Sequence, residues 1–144
     1  MSGTQKKSAA PAVGYSGKPL SQKLGLKAGQ RVRLVNAPAD YWTFCEFNPA
    51  DILLLARNNK MFDFAHIFAT IRADLERELP ALMASMDVKG MLWVSWPKKS
   101  AKVPTDIIEN TLREIILPSG LVDVKVCAVT EIWSGLKFLR RSGK

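Results

Sequence analysis

Residues that could bind an anion follow one apolar run, which extends from Gly90 to Trp96. Lysines come directly after this run, and a helix is predicted to begin at Thr105 or the preceding Pro104. Lysines and the free backbone N–H groups of a helix N-terminus both favour phosphate or carboxylate. Alternatively, the lysines only keep a surface loop solvated, and Trp96-Pro97 has a packing role. The candidate binding residues of this stretch are Ser95, Trp96, Lys98, Lys99, Lys102 and Thr105.

Two other positions could contribute to the same site. Asn36 and Pro38 follow the first predicted strand, and ligands of open α/β sheets bind where parallel strands end at their carboxyl side. Glu131 and Trp133 fall in the turn of a predicted hairpin, where they either shape a pocket or form a turn with an exposed aromatic ring. These four residues complete the candidate ligand-binding set.

The single histidine, His66, could act as a general base, because the pKa of a free imidazole is about 6.5. It lies between Phe64 and Phe68 in an apolar run, which favours a buried, hydrogen-bonded histidine, and no nucleophile is identifiable beside it. We therefore predict no catalytic residue. Cys45 and Cys127 are far apart and form no CxxC or Cys/His cluster, so neither a metal site nor a disulfide framework is predicted.

Strand and helix patterns alternate along the chain. Three runs, at 52–56, 62–69 and 90–96, are apolar on successive residues, which is typical of strands covered on both faces. In contrast, the segment from Leu121 to Thr130 alternates valines with Asp123 and Lys125. Helices are predicted after the caps Asp40 and Thr70, and a further helix is predicted to begin at Thr105 or the preceding Pro104. The pattern predicts an α/β fold: a small Rossmann-like mixed sheet with a parallel centre, a C-terminal antiparallel hairpin and helices on both faces. The predicted strands are 31–35, 52–56, 62–69, 90–96, 121–130 and 136–141.

The formal charge of +8 lies mostly near the two ends of the chain. Residues 1–30 contain five lysines and no acidic residue, whereas the middle of the chain is almost neutral. We predict a flexible basic arm over residues 1–17, one domain over 18–141 and a tail over 142–144. No run is long enough for a membrane helix and no secretory signal is recognisable, so a cytoplasmic location is expected.

Several segments resemble known families. The segment 24–32 resembles the lead-in to the first strand of class I methyltransferases, which bind S-adenosylmethionine, and FDFAHI at 62–67 and GMLWVSW at 90–96 resemble their fourth and fifth strands. Three segments resemble sequences of a bacterial family of short proteins of unknown function: VNAP at 35–38, LWVSWPKKS at 92–100 and WSGLKF at 133–138. The first resemblance implies a Rossmann-like fold, and the second implies no known activity.

The sequence departs from the methyltransferase pattern at two places. The loop after the first strand reads NAPAD and has no glycine, and the second strand ends in Ala56-Arg57-Asn58-Asn59, without the acidic residue that would bind the ribose. We therefore predict a noncatalytic binding or interaction module on a degenerate methyltransferase-like fold, with no cofactor.

Two alternatives to this module remain open. The first is a small enzyme acting on an anionic or nucleotide-like ligand, clamped by Lys98 or Lys99, and the second is nonspecific nucleic-acid binding through the basic arm. The expected partner is a small anion or another protein rather than a membrane or nucleic acid, and the chain is expected to be a monomer or homodimer.

Overall fold

A computed structural model describes residues 18–56 and 60–141. Its centre is one six-stranded sheet in the order β2-β1-β3-β4-β6-β5. The strands are β1 (Arg31–Val35), β2 (Leu53–Leu55), β3 (Phe62–Phe68), β4 (Met86–Pro97), β5 (Leu121–Ala128) and β6 (Trp133–Arg140). The helices are α1 (Leu20–Leu24), α2 (Tyr41–Cys45), α3 (Arg72–Ser85) and α4 (Glu109–Ile116), with 3₁₀ turns at Pro49–Asp51, Lys99–Ala101 and Leu117–Ser119.

The first four strands in this order are parallel to one another, and the last two pairings of the sheet are antiparallel. β1 pairs in parallel with β2 and β3, and β3 pairs in parallel with β4. β6 then pairs antiparallel with β4 and β5, which closes the sheet with a hairpin. The predicted mixed sheet with a parallel centre and a C-terminal hairpin is thus confirmed. Because β2 and β3 lie on opposite sides of β1, the order reverses at β1, the position where open α/β sheets bind ligands.

Each face of the sheet carries its own apolar core. On one face, α3 and α4 cover a cluster that includes Ile67, Leu92 and Phe138. On the other face, α1 and α2 cover a cluster that includes Phe64, Phe68 and Trp93. From Phe64 in β3 and from Met91 in β4 onward, the apolar residues of each strand alternate by position between the two clusters, since neighbouring side chains of a strand point to opposite faces. The apolar runs of these strands therefore reflect burial on both faces, as predicted.

The second predicted strand is shorter and more exposed than the sequence indicates. β2 covers only three residues at the sheet edge, and the side chains of Leu53 and Leu54 are 60% and 51% exposed. The prediction of burial on both faces is therefore wrong for β2. A shallow groove of about 450 Å³ runs beside this strand, lined mainly by its leucines and Met61.

Both long helices begin later than predicted. Ile71 occupies the N-cap of α3, and the Arg72 N–H donates at 2.7 Å to the carboxylate of Asp106, so Thr70 is not the cap. α4 begins at Glu109 rather than at Thr105. Thr105 is held elsewhere, because its hydroxyl donates to the Thr70 carbonyl at 2.6 Å and accepts from the Ile107 N–H at 3.1 Å.

Two further local predictions are corrected. Asp40 occupies the N-cap of α2, but its side chain makes no capping hydrogen bond. In β5 the register shifts between Asp123 and Lys125, which interrupts the predicted alternation and leaves Val124 and Val126 about half exposed, at 48% and 51%.

The ends of the chain lie outside the described residues. The predicted arm over residues 1–17 and the tail over 142–144 therefore stay predictions, as does the domain boundary at residue 18. No helix in the described part of the chain is long and apolar enough to cross a membrane.

Candidate ligand site at the carboxyl edge of the sheet

The loop from Asn36 to Asp40 follows β1 at the point where the strand order reverses. Asn36 is exposed and has a φ of 57°, in the left-handed region that glycine and asparagine tolerate best. The backbone N–H groups of Ala37, Ala39 and Asp40 donate to no acceptor among the described residues. The Pro38 carbonyl accepts from the Tyr41 N–H at 3.0 Å, which closes the loop onto α2. This loop thus presents free donors and an unused carboxylate, that of Asp40.

His66 lies beneath this loop at the centre of a buried hydrogen-bonded network. Its Nδ1 is 2.9 Å from the Tyr41 hydroxyl, and its Nε2 is 2.7 Å from the Ser95 hydroxyl. All three side chains are at most 1% exposed. Burial lowers the pKa of His66 to about 3, so the imidazole is neutral at physiological pH. The predicted buried, hydrogen-bonded histidine is confirmed.

Aromatic side chains surround this network. The His66 ring stacks on Phe68 at a centroid distance of 4.3 Å, and the Phe68 ring meets Trp133 edge-on at 5.1 Å. Tyr41 packs edge-on against both His66 and Phe68. Burial and the neighbouring Cys45 thiol raise the pKa of Tyr41 well above its usual range, while burial raises the pKa of Cys45 to about 12. Both groups are thus protonated, and as neutral side chains they pack the buried side of α2 against the sheet.

Ser95 and Trp133 are binding candidates predicted from the sequence, whereas Tyr41 and Phe68 were not predicted as part of a site. The alternation of Phe64, His66 and Phe68 within β3 places the three on one face, and that signal could have identified Phe68. Tyr41 carries no such signal, because its contact with His66 joins residues 25 apart in the chain.

Trp96 lies on the opposite face from Ser95. It is 8% exposed and belongs to the core under α3 and α4. The structure therefore separates these two neighbouring candidates, placing Ser95 in the His66 network and Trp96 in the packing of the far face.

The lysine loop forms a separate part of the carboxyl edge. The Lys98 N–H donates to the Ile132 carbonyl at 2.7 Å, which attaches the loop to the hairpin turn, where Glu131 is exposed. Lys99 begins a 3₁₀ turn, and Lys102 ends it with a φ of 58°. The structure thus joins this loop to Glu131 and Trp133, whereas Asn36 and Pro38 lie across β3 from it.

The helix N-terminus that the sequence predicted beside the lysines does not form at Thr105. α4 begins four residues after Thr105, and the nearby N-terminus of α3 is occupied by the Asp106 carboxylate. Among the described residues, no group of three His, Cys, Asp or Glu side chains could hold a metal ion.

Several solved structures that share this fold are named as methyltransferases. A putative type 11 methyltransferase from Sulfolobus solfataricus matches with a TM-score of 0.63 at 14% identity, covering 87% of this chain and 91% of the other. A methyltransferase from Pyrococcus furiosus matches with a TM-score of 0.53 at 10% identity, covering 83% and 78%. Magnesium protoporphyrin IX methyltransferase from Synechocystis, with bound S-adenosylmethionine, matches with a TM-score of 0.53 at 9% identity, covering 85% and 74%.

The sequence itself matches no family model and no curated protein. At these identities the structural likeness establishes the fold alone, which is a methyltransferase-like Rossmann fold. The distant methyltransferase similarity predicted from the sequence is confirmed at this level. The predicted noncatalytic module is contradicted, because the proteins that share the fold over most of both chains are methyltransferases.

Proposed function

We propose that this chain is a small methyltransferase that binds S-adenosylmethionine beside the loop from Asn36 to Asp40. The observation that carries the proposal is the sheet order, which reverses at β1 directly below this loop. The Synechocystis methyltransferase of the same fold has S-adenosylmethionine bound, and that likeness supports the choice of cofactor. When bound, this cofactor supplies an electrophilic methyl group on a positively charged sulfur.

The loop fits such a ligand although it has no glycine. Asn36 takes the left-handed conformation that a glycine would take, so the chain turns sharply at the end of β1. The free N–H groups of Ala37, Ala39 and Asp40 are donors suited to a carboxylate or to hydroxyl oxygens of the cofactor. Pro38 contributes no donor. The loop therefore supplies the backbone contacts expected from a glycine-rich turn.

The end of β2 fits the cofactor less well. Ala56 follows the strand, and the sequence continues with Arg57-Asn58-Asn59, which lie outside the described residues. No carboxylate is available there for the ribose hydroxyls. Asp40 carries an exposed carboxylate in the loop after β1, and this group is not used to cap α2. We assign the acceptor for the ribose to Asp40.

Substitution of Asn36 tests the role of the loop. A β-branched residue in the left-handed region costs about 1–3 kcal/mol, and about 1.4 kcal/mol shifts a conformational population about tenfold, so we expect the loop of Asn36→Val to leave its binding conformation and S-adenosylmethionine binding to weaken by about tenfold. Asn36→Gly should bind as the wild type does. Isothermal titration calorimetry measures both.

Glu46 provides the matched control for this experiment. It has nearly the same backbone conformation, with a φ of 56°, but it lies after α2 rather than in the loop. Glu46→Val should lower the melting temperature about as much as Asn36→Val while retaining affinity. Equal affinity losses in both valine variants would refute the assignment of the loop.

We further propose that the chain belongs to the bacterial family of unknown function, is located in the cytoplasm, and forms a single domain over 18–141 preceded by a basic arm. A second ligand contact at Lys98, Lys99 and Lys102, next to Glu131 and Trp133, is proposed on the same terms. Partners and oligomeric state are likewise proposals: a small anion or a protein, bound by a monomer or homodimer.

A further inference from the structure

The strand β5 forms one edge of the sheet and is open along its outer side. It is eight residues long, and no strand among the described residues pairs with that side. Val124, Lys125 and Val126 are all exposed at this edge. The register of β5 against β6 is regular from Lys125 to Ala128, after the irregularity between Asp123 and Lys125. An unpaired edge of this kind can accept a further extended segment.

Three lysines beside this edge form a cluster, which we call the lysine surface: Lys27, Lys125 and Lys137. Lys125 and Lys137 are directly opposite each other in the β5/β6 pair. The Lys125 ammonium donates to the Lys23 carbonyl at 3.1 Å, and the Lys137 Nζ lies 4.0 Å from the position that a Cβ on Gly25 would take. Both ammonium groups therefore lie next to the end of α1.

The positive charge of the lysine surface is not neutralised within the described fold. Seven ion pairs form among the described residues, and every one of them uses an arginine. Burial and the charges of Lys125 and Lys27 lower the pKa of Lys137. Like charges directly opposite in a sheet are destabilising, so an anionic partner would remove an existing repulsion.

Charge excludes two occupants of this edge. A second copy pairing through β5 would bring its own Lys125 and Lys137 against this lysine surface. Residues 1–17 contain Lys6 and Lys7 and no acidic residue, so this segment is repelled as well. The exposed valines of β5 are aliphatic and offer no ring on which a nucleic-acid base could stack.

We propose that the open edge of β5 and the lysine surface together bind an extended acidic segment of a partner protein. Side chains of a strand alternate between faces, so the acidic residues of the segment face Lys125 and Lys137, and its aliphatic residues face Val126. Backbone hydrogen bonds to the stretch from Lys125 to Ala128 hold the segment in place. This inference is independent of the proposed function.

Fluorescence anisotropy with the full chain tests this surface. The probe is a fluorescein-labelled ten-residue peptide of alternating glutamate and valine, measured at low salt. Because an exposed ion pair contributes only modestly to affinity, we expect Lys125→Ala to weaken binding by about threefold. Lys89→Ala is the matched control and should bind as the wild type does, because Lys89 is exposed in β4 away from this edge.

A second peptide separates strand pairing from charge alone. It has the same composition, with its five glutamates and five valines in two blocks, and we expect it to bind more weakly than the alternating peptide. The proposal is overturned if the alternating peptide does not bind, if Lys125→Ala and Lys89→Ala weaken it equally, or if the block peptide binds as tightly. Tighter binding of a ten-nucleotide thymidine strand, or a concentration-dependent dimer in sedimentation that Lys125→Ala alters, would also overturn it.

Discussion

His66 joins α2 to the sheet through its two ring nitrogens. Nδ1 bonds Tyr41 on α2, and Nε2 bonds Ser95 on β4, so one side chain connects three elements under the candidate loop. Because His66 is fully buried, the charged form would need to be desolvated, and the neutral form is strongly preferred. The network therefore positions the Asn36 to Asp40 loop through α2.

This burial gives stability a defined pH dependence. The pKa of His66 is about 3 in the folded chain, below its unfolded value of about 6.5. The unfolded state therefore binds a proton first as pH falls, and stability decreases below pH 6.5 by about 1.4 kcal/mol per pH unit. We expect His66→Gln to lose this contribution, measured by urea unfolding between about pH 4.5 and 7.

Ser95→Ala is the control for this prediction. It removes a hydrogen-bond partner but keeps the buried imidazole, so it should lower stability and retain the pH slope of the wild type. The account of His66 is wrong if the slopes of His66→Gln and wild type are the same.

Sequence could predict the burial of His66 but not its partners. The apolar residues around it in FDFAHIF indicate a strand covered on both faces. Tyr41 and Ser95 are 25 and 29 residues away, and only the packing of α2 on the sheet brings them to the ring. The same holds for Asn36, whose left-handed conformation is permitted by its residue type but is determined by the turn into α2.

At the scale of elements, α3 depends on a residue from the segment before α4. The Asp106 carboxylate accepts from the first N–H of α3, and the Asp106 N–H donates to the Thr70 carbonyl at 3.3 Å. These two bonds hold the loop after β4 against the end of β3. A capping rule that considers only neighbouring residues predicts Thr70 as the cap of α3. It cannot detect Asp106, which lies 34 residues after Arg72 in the chain.

Substitution at these two positions distinguishes the structure from the local rule. Loss of a helix cap costs about 1 kcal/mol, so Asp106→Ala should lower the free energy of unfolding by about this amount. The Thr70 hydroxyl caps nothing, and Thr70→Ala should change stability by less than about 0.5 kcal/mol. Chemical denaturation measures both values, and the reverse order would support Thr70 as the cap.

Edge strands were the elements that sequence predicted least well. The run around Leu53 and Leu54 is apolar on successive residues, as in a central strand, although β2 is an exposed edge. In β5, a shift in register changes which valines face solvent. Both features depend on which neighbours a strand acquires, and this information is not contained in the strand itself.

At the scale of the whole molecule, the alternation of strands and helices was sufficient to predict the fold. The prediction of a noncatalytic module, which is contradicted by the methyltransferases that share the fold, depended on the absence of glycine in NAPAD. The structure has a left-handed turn and free N–H groups at that loop without a glycine. The proposed cofactor site thus depends on backbone conformation, which residue-type motifs describe only in part.

The most direct test of the proposed function is the amide NMR spectrum of the full chain titrated with S-adenosylhomocysteine, the product form of the cofactor. We predict chemical-shift changes concentrated at the N–H groups of Ala37, Ala39 and Asp40, because these donors have no partner in the described fold. An unchanged spectrum up to the solubility limit of the ligand, or changes confined to the groove beside β2, would contradict the proposed cofactor site.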